Sequence, residues 1–209
     1  MTSFDRITVT RAAALGSATL HEAAGRVGAL PAGIQAAVAG MTLAGPAFTV
    51  RCPPGDNLWI HRALVAASPG DVLVVETGEG EALYGYWGEI MSEAAKVVQL
   101  AGLVLQGGSR DHGALGVVGF PVFSFGPCIR GTIKDKARDH GRLGAPVTLG
   151  DITVNPGDLV VGDVDGVVVL AAIDVESVVA AGIEREAKER DTIDRLRAGA
   201  TTLDLYDLQ

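Results

Sequence analysis

Residues 72–111 read VLVVETGEGEALYGYWGEIMSEAAKVVQLAGLVLQGGSRD, and the way apolar residues recur along this stretch decides the fold class. Val72 to Val75 is a short continuous apolar run, the pattern of a strand buried on both faces. After the glycine-rich loop TGEGEALYGYWG the spacing turns helical. Ile90, Met91, Ala94, Ala95, Val98 and Ala101 share one face, and Glu89, Glu93, Lys96 and Gln99 fall mostly opposite. Gly102 is placed to end this helix, and Leu103 to Gln106 reads as the next buried strand, leading into the loop GGSRDHG. Strand, helix, strand with buried strands is a βαβ unit, so the chain is read as an α/β protein.

The same grammar extends in both directions. Upstream, Thr19 and Glu22 have capping-box spacing, which predicts a helix to about Val27. A strand follows from about Leu43 to Arg51 and ends at the turn CPPGD. Asp56 is then the expected N-cap of a helix from Asn57 to Ala67, and SPGD turns the chain into Val72. Downstream, PVFSFG, PVTLG, DITV, DLVVGD and GVVVLA are short strands separated by Gly, Pro and Asp turns, with a corner at PGD, 156–158. Asp174 heads a long polar helix to about Ala198, stopped by Gly199. No repeat, low-complexity segment or linker-like shift divides the 209 residues, so residues 1–209 are read as one domain, a length sufficient to bury a core without staples.

Composition excludes several classes of function. The formal net charge is -8, and no run of Lys or Arg is interleaved with aromatics, so a nucleic-acid partner would meet repulsion. The first twenty residues lack a basic start followed by an apolar run, and no stretch is apolar for long enough to span a bilayer. Cys52 and Cys128 have no CxxC spacing and read as buried thiols of a reducing compartment, which points to the cytoplasm. An acidic chain can still bind a small acid, provided a metal, an Arg or a helix N-terminus creates a local positive potential.

That requirement directs attention to two segments. In a βαβ unit the helix starts at the carboxyl edge of one strand, and the next parallel strand delivers its loop to the same edge. The helix start at Gly88, Glu89, Ile90 and Met91 and the loop Ser109, Arg110, Asp111 therefore converge. Free N–H groups of the helix suit a carboxylate. Arg110 can donate to a keto or enolate oxygen, and Asp111, with Glu89 as an outer partner, can anchor Mg2+ through oxygen ligands and waters. Those are the needs of a 2-oxo acid whose carbon–carbon bond breaks to leave an enolate. On local pattern alone the plainer reading is the commoner one: an Arg-Asp pair stabilising a loop, and Glu89 complementing the helix dipole.

Other motifs carry less. Gly78 and Gly80 follow a strand and precede a helix, but the third glycine of a dinucleotide fingerprint is Leu83, and no Walker lysine motif is present. His21, His61, His112 and His140 lack metal-ligand spacing and read as structural or surface residues, with His112 set apart by its position beside Asp111. GDVDG, 162–166, lacks the further ligands of a calcium loop and reads as a hairpin turn.

The segment from Gly88 to Asp111 resembles the signature shared by 4-hydroxy-4-methyl-2-oxoglutarate aldolases and the regulator of ribonuclease activity A. The likeness continues through GPAFTVRCPPGDN, ASPGDVLVVE, GAPVTLGDITVNPGDLVVGDVDGVVVL and LRAGATTLDLY, in order and over nearly the whole chain. It implies a swivelling α/β/β-type fold, a homotrimer or homohexamer, and an active site between subunits. It implies a class II pyruvate aldolase acting on 4-hydroxy-4-methyl-2-oxoglutarate or 4-carboxy-4-hydroxy-2-oxoadipate, with oxaloacetate decarboxylation as a side activity. By the same resemblance Asp111 anchors Mg2+ or Mn2+, Arg110 binds pyruvate and stabilises its enolate, Glu89 orients a metal-bound water, and the backbone of Gly88 to Met91 receives the substrate carboxylate. A neighbouring subunit's C-terminal helix contributes an acid, matched by Glu186 within a stretch that also offers Glu184 and Glu189. The competing expectation is a non-enzymatic, protein-binding regulator of ribonuclease activity. Such regulators generally lack the acid after the Arg, and Asp111 is present here. The sequence departs from the family at His21-Glu22, where Asp-Ala is expected.

Overall fold

A computed structural model describes residues 4–78, 81–137 and 140–208, which leaves Gly80 of the glycine-rich loop outside the described residues. In chain order the first elements are α1 (Arg6–Ala23), β1 (Gln35–Ala36), β2 (Leu43–Arg51), α2 (Leu58–Ala66), β3 (Val72–Glu76), β4 (Gly85–Trp87), α3 (Glu89–Val97), β5 (Gly102–Leu105) and β6 (Gly108–Ser109). There follow α4 (His112–Val118), β7 (Val122–Ser124), β8 (Arg142–Leu143), β9 (Val147–Leu149), β10 (Ile152–Val154), β11 (Leu159–Asp163), β12 (Gly166–Leu170), α5 (Val175–Arg197) and α6 (Thr202–Leu205).

The main sheet runs β1-β7-β5-β3-β2-β11-β12, and its end strands β1 and β12 approach each other, so it nearly closes into a barrel. Its centre, β7-β5-β3-β2, is parallel, as the βαβ reading requires. Alternation divides each strand between two layers. Leu73, Val75, Leu103 and Leu105 pack with α2, α3 and α4, whereas Val72, Val74, Val104, Val160, Val167 and Val169 fill the opposite side with Leu43, Phe123 and Leu149. Leu159, Val161, Val168 and Leu170 turn to a third cluster beneath α1 and α5. Side chains as enclosed as Val72 to Val75, all fully buried, contribute about 1.5–3 kcal/mol each.

Several sequence expectations need correction. The first helix begins at Arg6, capped by Asp5, whose carboxylate accepts the Thr8 amide at 2.8 Å. Thr19 and Glu22 lie inside it, so their spacing is no capping box, and it ends at Ala23 rather than Val27. Gly16, at φ 78° and ψ 166°, breaks this helix in two. The second half starts at Ser17, whose amide and hydroxyl both donate to Asp163 at 2.6 Å. Asp163 belongs to the β11–β12 hairpin that GDVDG was expected to turn.

On α3 the buried residues are Met91, Ser92 and Ala95, while Ile90 and Ala94 are exposed. Gly102 does not end that helix. Gln99, in the left-handed conformation at φ 58°, follows its last turn, and Gly102 opens β5, where a Cβ would come 2.8 Å from Leu43. Asp56 caps α2 from one residue further back than expected, its Oδ1 accepting the Leu58 amide at 2.8 Å. Asp174 stands at the N-cap of α5 without a side-chain cap bond. Both cysteines are free, with Cys52 buried and Cys128 only half-buried. No described helix is long and apolar enough to cross a membrane.

Candidate active site

Two very short strands outside the main sheet assemble the site. β4 and β6 pair in parallel, Gly85 opposite Gly108 and Trp87 opposite Ser109, so both chains leave this ladder in one direction. α3 starts immediately after β4, and Arg110 and Asp111 follow β6. The Arg110 amide donates to the Trp87 carbonyl at 2.9 Å and fixes the two exits side by side. β4 is anchored from behind: Trp87 stacks on Phe120, and its indole N–H donates to Ser92 at 2.6 Å. Ser109 is buried between Ser124 Oγ at 2.8 Å and His112 Nε2 at 2.9 Å, so His112 is tied into the support of the loop.

Asp111 takes the left-handed conformation, φ 60°, which Asp tolerates better than most residues. This turns its carboxylate back onto α3, where Oδ2 accepts the Glu89 amide at 3.2 Å and lies 3.8 Å from Arg110 Nε. Both side chains are about half exposed, so the pair is open to a ligand. Gly88 is what permits the approach, because a Cβ there would stand 2.4 Å from Asp111 Oδ2. One helix amide is therefore already engaged by Asp111, and those of Ile90 and Met91 are left without intrahelical partners by helix geometry.

A second wall comes from the start of α2 and the segment 131–135. Asp56, fully buried, accepts the Leu58 and Asp135 amides at 2.8 and 2.9 Å. The Asn57 amide donates to Ile133 O at 3.2 Å and the Ile133 amide to Gly55 O at 2.9 Å. Extended pairing makes Thr132 and Lys134 share a side, with the half-exposed Ile133 between them. Between the walls lies a cavity of about 260 Å3, lined by Asn57, His61, Gly85, Tyr86, Trp87, Gly88, Ile90, Met91, Arg110, Asp111, Thr132 and Lys134. That volume suits a small acid rather than a nucleotide.

Gly88, Ile90, Met91, Arg110 and Asp111 thus meet at one cavity, as the sequence predicts. Glu89 stands exposed beside it, and only its amide touches Asp111. Glu186 does not line the cavity of its own chain; it lies on α5, 3.5 Å from Arg190. Sequence reasoning missed Asn57, His61, Thr132 and Lys134. The available signal was the four-residue spacing of Asn57 and His61, which stacks them on one helical face. Asn57 Oδ1 and His61 Nε2 are both buried without a hydrogen-bond partner, a condition that costs about 1–3 kcal/mol per group. Burial, and then the Lys134 charge, pulls the His61 imidazole below its ordinary 6.5, so it is neutral near pH 7.

Asp111 has the chemistry of a hard oxygen donor for Mg2+ or Mn2+, and the glycine at 88 leaves room beside its carboxylate. No cluster of three potential His, Cys, Asp or Glu ligands occurs among the described residues. A cation held here would rely on Asp111, substrate oxygens and water, a donor set that Mg2+ accepts.

Comparison with known proteins bears on the family and the fold. The family model described as RraA-like, aldolase/RraA, matches residues 13–169. A Halalkalibacterium halodurans protein provisionally named 4-hydroxy-4-methyl-2-oxoglutarate aldolase is 35% identical over 158 residues, 74% of this chain and 73% of that one. Among solved structures, an uncharacterised protein of Pseudomonas syringae pv. tomato superposes with a TM-score of 0.85 at 27% identity, covering 99% of this chain and 95% of its own. Streptomyces coelicolor RraAS2, described as an unusual member of the RNase ES inhibitor RraA family, gives 0.78 at 29% identity, with 91% and 98% covered.

Proposed function

This chain belongs to the RraA-like aldolase/RraA family, and from that membership we propose that it is a divalent-metal-dependent lyase releasing pyruvate from 4-hydroxy-2-oxo dicarboxylic acids. The observation that carries the reading is the single cavity shared by the amide-lined start of α3 and the Arg110-Asp111 loop. The Ile90 and Met91 amides, at the positive end of the helix, receive the substrate carboxylate. Arg110 donates to the 2-oxo oxygen, which gains negative charge as the C3–C4 bond breaks. The C4 hydroxyl loses its proton in the same step, leaving a second 2-oxo acid, and C3 of the enolate takes up a proton to give pyruvate. Glu89, exposed on the first turn of α3, holds the proton in transit by way of water. Mg2+ or Mn2+ at Asp111 supplies positive charge that lowers the energy of the enolate. Oxaloacetate decarboxylation needs the same enolate stabilisation without deprotonating a hydroxyl, and is the expected side activity.

The assembly we propose is a homotrimer or homohexamer with a neighbour's Glu186 completing the site. Its support is the apolar surface that one chain leaves uncovered: Ile90 and Val97 on α3, Val117 on α4 and Ile129 are each more than 80% exposed. The likeness to RraAS2 favours a second reading, a protein-binding regulator. Incubation with oxaloacetate or 4-hydroxy-4-methyl-2-oxoglutarate separates the two. The lyase forms pyruvate with Mg2+ or Mn2+, and neither excess chelator nor Asp111→Ala leaves turnover. Activity that survives the chelator contradicts the metal requirement, whereas no pyruvate with any divalent cation removes the lyase reading and leaves the regulator.

A further inference from the structure

Asp111 stands at the position that caps a helix and does not cap it. An Asp there ordinarily accepts an amide of its own first turn. α4 has no such side-chain bond, because the left-handed turn at φ 60° and ψ 33° swings the carboxylate toward α3 and the cavity. That diversion frees the carboxylate for a ligand, and it removes the usual tether from the start of α4. Among the described residues the carboxylate meets only the Glu89 amide, at 3.2 Å, and Arg110 Nε, at 3.8 Å, both at half-exposed positions that water competes for. Contacts of this kind do not by themselves hold a conformation that residues other than glycine seldom adopt.

The missing tether lies one residue further on, behind the cavity. His112, the first residue of α4, folds back so that Nε2 meets Ser109 Oγ at 2.9 Å. Ser109 is a fixed post. It is fully buried, its amide donates to the Gly126 carbonyl at 3.0 Å, its own carbonyl accepts the Cys128 amide at 2.8 Å, and its hydroxyl also meets Ser124 Oγ at 2.8 Å. The bond between Ser109 and His112 therefore closes a ring around two residues only, Arg110 and Asp111. The far end of α4 is anchored independently, since Leu115 is fully buried and Lys96 Nζ donates to the Val118 carbonyl at 2.6 Å. With β6 and α4 both held, the ring bond restricts the backbone angles of the two residues between them. His112 does not line the cavity, so it acts there only through these neighbours.

We propose that Ser109 and His112 are positioning residues, whose bond holds Asp111 in its left-handed turn. One bond thereby fixes both the carboxylate that meets the cation and the guanidinium of Arg110 that meets the oxo acid. The assignment rests on the lyase reading and adds to it the reason that one protein carboxylate suffices: a turn that already populates the binding conformation spares the cation the cost of selecting it.

Mn2+ binding measured by calorimetry without substrate reads the positioning directly, and pyruvate release from oxaloacetate reads its consequence. His112→Ala weakens Mn2+ binding by about 10-fold, the scale expected when a group behind a metal ligand is removed. Turnover falls at limiting Mn2+, and excess Mn2+ restores most of it, because the cation then selects the turn. His112→Gln, whose terminal amide can reach Ser109 as donor or acceptor, recovers most of the affinity. Ser109→Ala matches His112→Ala, and the double variant is no weaker than either, since each removes the same bond. His112 is only half-buried, so its substitution spares the core, and circular dichroism verifies the fold of every variant. Should Ser109→Ala not fold, the Ala and Gln variants at 112 decide alone. A Mn2+ affinity that His112→Ala leaves unchanged, a Gln variant as weak as the Ala one, or losses that add in the double variant overturn the positioning role and leave the lyase standing. An intact protein that binds Mn2+ through Asp111 yet releases no pyruvate overturns the lyase, while the variants at 112 still decide the positioning role. Intact protein that binds no Mn2+ overturns both.

Discussion

Substituting Ala for Gly88 adds one methyl group at the point where α3 meets the Asp111 carboxylate. The backbone at Gly88 is extended, with φ at -165°, so alanine adopts it without dihedral strain and the effect is steric. The new Cβ would lie 2.4 Å from Asp111 Oδ2 and 3.2 Å from Arg110 Cγ, and ordinary contact starts at 3.4 Å. The carboxylate must retreat by roughly 1 Å, well outside the ~0.2 Å tolerance of metal–ligand distances. It also loses the Glu89 amide, a bond of 3.2 Å at a half-exposed group, worth about 1 kcal/mol after solvent screening. A misplacement of that size costs about 10²-fold in rate, while Tm falls by only about 2–4 °C. The assays are pyruvate release with Mg2+, Mn2+ binding by calorimetry, and thermal unfolding. Gly113→Ala on α4 serves as control, because a Cβ there meets nothing within 4 Å and helix propensity favours Ala by up to ~1 kcal/mol. If Gly88→Ala keeps full turnover and unchanged Mn2+ affinity, the argument that Gly88 makes room for the Asp111 carboxylate is wrong.

Three further outcomes follow from the surroundings. Burial pushes the Asp163 carboxyl up, but bonds from the Ser17 hydroxyl and amide and from the Asp165 and Gly166 amides outweigh it and hold it below 3.8. Ser17→Ala therefore lowers stability by about 1–2 kcal/mol above that pH, and the deficit shrinks as pH falls through the lowered folded value; denaturant titrations at pH 6 and pH 3 measure it. His61 titrates below 6.5 by NMR, and Lys134→Met moves its midpoint upward; because the folded imidazole resists protonation, its contribution to stability declines as pH drops below 6.5. Burial raises the Cys52 thiol to about 12, so an aromatic disulfide reagent at pH 8 modifies only Cys128 in the folded protein and both thiols in denaturant.

The buried centre was readable because its signals are local. β2 has the limits its apolar pattern predicts, and the β3–α3–β5 unit follows from two continuous apolar runs on either side of a 3.6-residue periodicity. The helix face on α3 misled for a physical reason: periodicity registers every apolar side chain, whatever comes to cover it. Ile90 and Ala94 belong to a stripe that their own chain leaves open. The start of α1 was hidden because Gly16 divides an alanine-rich stretch, and Asp163, far along the chain, supports the second half. At the site, Arg110 and Asp111 could be anticipated from the parallel-strand rule, yet the ladder that brings them to α3 has strands of only three and two residues, too short for any period. Thr132 and Lys134 reach the cavity through pairing with residues 55–57, a contact between distant segments that no local pattern announces.

The left-handed backbone at Asp111 bears on how this architecture can change its trade. A residue at φ 60° is strained by about 1–2 kcal/mol for most side chains, whereas Gly escapes the strain and Asn tolerates it. A lineage that abandoned the acid yet preserved the turn would be steered toward those two residues. Asn lies one nucleotide away from Asp, keeps the shape and removes the charge. On the lyase reading, that single mutational step would silence catalysis and leave the outer surface available for selection on other partners.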